Sequence, residues 1–173
     1  MQRLLALLCL VLSGAVGMPA AKGKTDHLGF VVPKGWKFAN SREVPDQYQM
    51  MEFVREGDDL KNWKELLTIQ NFPKSRAFGS PQKAYDNLKA QTEKDCPGAT
   101  QWSVIAQDAN SILYEWHSQS CRDWPEQHEV ARILIGKYNA FILHYAAKVH
   151  ELAADTRAEW IKFFGEASIT TDK

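Results

Sequence analysis

Residues 140–149, AFILHYAAKV, narrow the possible folds more than any other stretch of the chain. Successive side chains of a β-strand point to opposite faces. Here Phe141, Leu143 and Tyr145 fall on one face and Ala140, Ile142 and Ala146 on the other. A strand apolar on both faces must be covered on both, so it belongs at the centre of a sheet with a layer above and a layer below. His144, set within it, is expected to be a core histidine bonded to a neighbour rather than a ligand.

The rest of the chain supplies flanking elements. Period-two alternation predicts a strand over Leu28–Val32, ended by the turn chemistry of Pro33-Lys34-Gly35, with Trp36 and Phe38 continuing it. After a polar stretch through Pro45, further strands are predicted at Tyr48–Arg55 and Trp63–Phe72. Ser80-Pro81 marks a helix start, since serine caps a free N–H and proline fits the first helical position. The helix buries Ala84, Tyr85, Leu88 and Thr92 and stops before Cys96-Pro97-Gly98. Strands at Trp102–Gln107 and Ser111–His117 flank the turn Asp108-Ala109-Asn110, and Gln127–Ile135 precedes the central strand across Gly136–Asn139. A last helix is expected with Thr156 and Glu159 as a capping box and Ala158, Trp160, Ile161 and Phe164 buried. Strand runs joined by short turns imply an α+β fold: a largely antiparallel sheet of six to seven strands flanked by helices.

The first seventeen residues carry a targeting pattern. Arg3 precedes the uncharged run Leu4–Leu12, and Ser13, Gly14, Ala15 and Gly17 close it with small residues. That is the layout of a secretory signal, and the run is too short for a transmembrane anchor. Cleavage is expected after Gly17, or alternatively after Ala20, followed by a mobile leader over 18–26 and one α+β domain over 27–169. The chain is then periplasmic or extracellular, with no transmembrane segment after cleavage. Cleavage removes Cys9 and leaves Cys96 and Cys121 with one possible pairing in an oxidising compartment. Closing a loop of about 25 residues contributes roughly 3–3.5 kcal/mol through the chain entropy of the unfolded state.

Chemistry-bearing motifs are sparse. The 173 residues hold 21 basic and 21 acidic side chains, so no electrostatic footprint for a nucleic acid exists. Phosphate-loop, dinucleotide-binding, GxSxG and zinc-ligand spacings are absent, so no cofactor and no metal is expected. Asp58-Asp59 lies inside a Gly-Asp-Asp turn that explains it. The nearest approach to a constellation is Glu115, His117, Glu126, His128 and Glu129, on two strands that the segment 118–125 brings side by side. A polar cross-strand ladder is the expected reading; in the alternative, Glu115, His117 and His128 are the candidate catalytic residues, with Arg132 sharing the face of Glu115 and His117. Trp102, Trp116 and Trp160 fit core positions. Trp36, Trp63 and Trp124, beside turns or loops with polar neighbours, are expected to cover the sheet edges or plug the ends of the sandwich; in the alternative, an aromatic platform, Trp63 and Trp124 are the candidate binding residues.

The order of elements, the opening LGFVVPKGW, the strands EFVRE and LLTIQNF, the helix SPQKAYDNLK and the closing AEWIKFF resemble small exported bacterial proteins of the PsbP-like α/β/α sandwich kind. The resemblance implies that fold and transfers no catalytic residue. A cystatin-like or NTF2-like α+β fold is the alternative. The functional expectation is an exported, non-catalytic domain that binds a small ligand or an envelope protein. The two alternatives are a periplasmic hydrolase using Glu115, His117 and His128, and a structural subunit of an envelope complex.

Overall fold

Strand β8, Asn139–Ala147, is buried at all nine positions. In the computed structural model, which describes residues 24–73, 77–122 and 124–172, it occupies the middle of a seven-stranded antiparallel sheet. The order across the sheet is β2 (Trp36–Val44), β3 (Tyr48–Arg55), β4 (Glu65–Pro73), β8, β7 (Gln127–Ile135), β6 (Ser111–Ser118) and β5 (Thr100–Gln107). Helices α1 (Pro81–Asp95) and α2 (Ala154–Glu166) lie on opposite faces, over the β5–β7 half. The α+β expectation therefore holds. The signal and leader segments through residue 23, including Cys9, lie outside the described residues.

Each helix is seated by aromatic burial. On the α1 face, Ala84 and Tyr85 pack on Ile112, Tyr114, Trp116, Ala131, Ile133 and Ile142. On the α2 face, Trp160 and Phe164 pack on Trp36, Leu113, Val130, Leu143 and Tyr145, each fully buried aromatic contributing roughly 1.5–3 kcal/mol. Ser80 caps α1 as expected, its hydroxyl accepting from the Lys83 N–H at 3.1 Å. Cys96 follows that helix and is bonded to Cys121, with Cα atoms 5.9 Å apart, tying the α1 end to the loop between β6 and β7.

Three expectations need correction. The strand at 28–32 does not join the large sheet. Instead β1 (Asp26–Gly29) pairs with β9 (Ser168–Thr171), a strand not foreseen, in a two-stranded ribbon, and the large sheet gains β2 from the polar stretch before Pro45. WKFANSREV carries little apolar alternation because β2 is an edge strand whose side chains mostly face solvent. Helix α2 starts at Ala154, two residues before Thr156, and its N-cap Ala153 makes no side-chain bond, so there is no capping box; Ala158 is exposed. Its other end is closed from the sheet: Arg132 Nη1 donates to the carbonyls of Phe164, Gly165 and Ala167. Finally, Trp63 is a core residue. The loop before β4 folds back over the sheet, Asp59 accepting from the Lys61 and Asn62 N–H groups and Asp58 from Lys64, and sets Trp63 against Val54, Leu66 and Ala146.

Candidate functional site

Antiparallel pairing of β6 with β7 places His117 opposite His128, and alternation puts Glu115 on the same face. The two imidazoles lie tilted at 35° with centroids 3.6 Å apart, and His128 Nε2 lies 3.4 Å from Glu115 Oε2. The foreseen trio thus converges, with Glu126 bonded nearby to His150. Glu129 leaves it for the opposite face, where its carboxylate lies 2.7 Å from His144 Nδ1.

What the sequence did not foresee is Arg157 of α2. Its Nε and Nη2 donate to the two Glu115 oxygens at 2.6 and 2.8 Å, a bidentate fork. Arg157 holds the Glu115 carboxyl below the usual glutamate range, against the burial that pushes it up. The Leu152 N–H donates to His128 Nδ1 at 3.0 Å, which leaves Nε2 to carry the proton toward Glu115. Burial first, then the charge of His117, push the His128 imidazole below its ordinary pKa, so it stays neutral. His128 is 1% exposed. The group clamps the α2 entry onto the sheet: Glu115 holds Arg157, and His128 holds the Leu152 backbone. His117 alone reaches a polar hollow of about 300 Å³ beside His150 and Glu151. Among the described residues no group of three or more His, Cys, Asp or Glu side chains is placed to hold a metal ion.

The aromatic candidates separate. Trp63, at 2% exposure and covered by the Lys148 ammonium 4.2 Å from its ring centroid, has no open stacking face, so its candidate binding role is withdrawn. Trp124 is half-buried and leans on Trp116, the last member of a row in which Trp102 stacks on Trp116 at 5.1 Å. Trp36, Trp160 and Tyr145 share one aromatic contact in the core.

A larger opening lies elsewhere. Helix α2 covers only part of its face, and the β1–β9 ribbon is seated beside it on β8 and the β7–β8 turn. Between ribbon and sheet runs a groove of about 410 Å³, within the range of small-molecule sites. Its floor is Met51, Ile69 and Phe141; its wall is Leu28 and Phe30; its polar end holds Ser41, Gln49 and Asn71. Met51 is 41% exposed, and Phe38, packed edge-on against Phe53 further along the sheet, is 58% exposed. Asp26 fixes the wall. Its carboxylate accepts from the Tyr138 and Asn139 N–H groups and the Thr171 hydroxyl at 2.6–2.9 Å. Burial pushes that carboxyl up, but these bonds outweigh it and hold it below the usual range. A Cβ at Gly136 would overlap the same carboxylate, which is why the β7–β8 turn carries glycine there. No sequence signal marked this groove, because its floor residues occupy ordinary strand positions.

The chain matches no protein-family model and no curated protein sequence. Among solved structures it is similar to LpqN, involved in cell envelope biogenesis of Mycobacterium tuberculosis, at 10% identity and a TM-score of 0.40 over 84% of each chain.

Proposed function

We propose that this chain is an exported, non-catalytic binding domain of the periplasm or cell exterior, acting in an envelope process, and that its ligand lies in the groove under the β1–β9 ribbon. The observation that carries the reading is the groove itself. It leaves Met51 open beside Ile69 and Phe141 on a sheet face whose other half is closed by a helix. A cleft of this size with an apolar floor and a few polar groups at one end is the usual form of a small-molecule site, and methionine adapts to varied apolar shapes.

Export is supported by the signal-like residues 1–17 and by the Cys96–Cys121 bridge, which suits an oxidising compartment. No described helix is long and apolar enough to cross a membrane. The hydrolase reading has less support. Both Glu115 oxygens are engaged by Arg157, and His128 is buried with both ring nitrogens in use.

Binding is tested with N-phenyl-1-naphthylamine, a neutral fluorophore that brightens in apolar surroundings. Saturable brightening that Met51→Lys abolishes, with the fold intact by circular dichroism, is the expected result. Equal brightening by wild type and Met51→Lys overturns the assignment of the groove. Export is tested by the mass of the mature chain recovered from the periplasm or medium, expected to begin at Met18.

A further inference from the structure

Three side-chain amides run in a row from the core to the groove, and their orientation is fixed at the inner end. The backbone N–H of Asp26, which can only donate, lies 3.1 Å from Asn139 Oδ1, and the Thr25 hydroxyl donates to the same oxygen. Asn139 must therefore present its nitrogen outward, and Nδ2 donates to Asn71 Oδ1 at 2.8 Å. Asn71 in turn donates from Nδ2 to Gln49 Oε1 at 3.3 Å. An amide whose oxygen is engaged offers only N–H donors from its other end. Gln49, exposed and lining the groove, so presents Nε2 as the terminal donor of the row. Polarised in one direction, such a chain strengthens its last donor.

We propose that Gln49 is a recognition residue of the groove, and that the ligand is a single acyl chain joined to an uncharged ester or amide carbonyl, which accepts from Gln49 Nε2. The inference rests on the groove being the ligand site. The apolar floor of Met51, Ile69 and Phe141 suits the chain, and the donor suits a carbonyl. The charges nearby favour a neutral head. Arg42 and Glu43 are sequence neighbours of opposite sign in the same lining, and the Arg42 guanidinium leans toward the Tyr48 ring, 6.0 Å from its centroid. Asp26 is spent on the backbone of the β7–β8 turn, and His27 is bonded to Asp172 at 2.7 Å. A carboxylate head would also accept from Gln49 but would face Glu43 without a matched cation.

Displacement of N-phenyl-1-naphthylamine by dodecyl amphiphiles below their micelle concentrations tests this. 1-Monolaurin is expected to displace the fluorophore at about tenfold lower concentration than dodecyltrimethylammonium, which cannot accept from Gln49, and than laurate, which can accept but meets Glu43. Gln49→Glu keeps the acceptor that Asn71 needs and exchanges the terminal donor for an acceptor. It is expected to abolish the preference for monolaurin over dodecyltrimethylammonium, read as the ratio of the two displacement concentrations in the same variant. If wild type binds no fluorophore, the groove reading itself fails. If the fluorophore binds but the charged amphiphiles compete equally or better, or Gln49→Glu keeps the preference over dodecyltrimethylammonium, the carbonyl assignment is overturned while the groove reading stands.

Discussion

Replacing Arg157 by glutamine isolates what the Glu115–His128 cluster does. Glu115 is 11% exposed at its side chain and Arg157 39%, so the pair lies between the buried and surface regimes. Losing one partner of a fully buried pair costs about 3–5 kcal/mol and of an exposed pair about 0.2–1 kcal/mol. Because the fork is bidentate and the orphaned group is the buried one, Arg157→Gln is expected to lose about 2–3 kcal/mol near pH 7.5. Glu115→Gln leaves an arginine able to turn to solvent and is expected to lose about 1–1.5 kcal/mol, with the double variant, which has no orphaned carboxylate, close to the glutamate single. The pH dependence has a definite sign. Without Arg157, burial raises the Glu115 carboxyl, and His128, relieved of a neighbouring cation, protonates more readily. The deficit relative to wild type therefore narrows as pH falls from 7.5 toward 5. Urea unfolding followed by tryptophan fluorescence at several pH values measures it. An Arg157→Gln variant within 0.5 kcal/mol of wild type at pH 7.5, or a deficit that widens on acidification, would refute the clamp.

Three further outcomes follow from the same contacts. Serine at both Cys96 and Cys121 is expected to lower stability by roughly 3 kcal/mol and Tm by about 6–12 °C, as read by calorimetry against the oxidised protein. Arg132→Met strips three α2 carbonyls and the Ser111 hydroxyl of their donor; we expect a loss of roughly 2–3 kcal/mol and faster amide exchange at 168–171 before the central strands are affected. Wild-type stability should fall in two stages on acidification. His128, lowered from 6.5 in the fold, takes up protons first in the unfolded chain, so its contribution is lost as pH falls from about 6.5; Glu115 and Asp26, lowered from 4.5 and 3.8, follow in the carboxylate range. His128→Gln is expected to flatten the first stage only, a comparison that equilibrium unfolding from pH 8 down through the carboxylate range to about pH 2 provides.

Local chemistry made much of this fold legible. The doubly apolar β8 located the sheet centre, and Ser80-Pro81 with Cys96-Pro97-Gly98 located both ends of α1. Alternation along β6 and β7 was enough to bring Glu115, His117 and His128 together. What was not legible depends on partners far along the chain. Arg157 reaches Glu115 across 42 positions, Arg132 closes a helix more than 30 positions away, and β9 is a strand only because β1 lies beside it. Trp63 looked like a loop aromatic because its loop is polar in composition; that polarity builds the turn that tucks it inward. The groove escaped notice for a related reason, since it is a space between a ribbon and a sheet and no single segment encodes it.

The pairing of β1 with β9 has a mechanical side. Asp26 sits opposite Thr171, and Thr25 and Asp172 exchange bonds just beyond them, so the chain enters β1 and leaves β9 at the same end of the ribbon. A load applied between Thr25 and Asp172 breaks such a ribbon rung by rung, and it reaches the seven-stranded sheet through the bonds of Thr25 and Asp26 to the β7–β8 turn. The Asp26 anchor to the 138–139 backbone is the first strong catch in that sequence. Tension on the ends of the domain would thus lift the groove wall first and leave the floor standing.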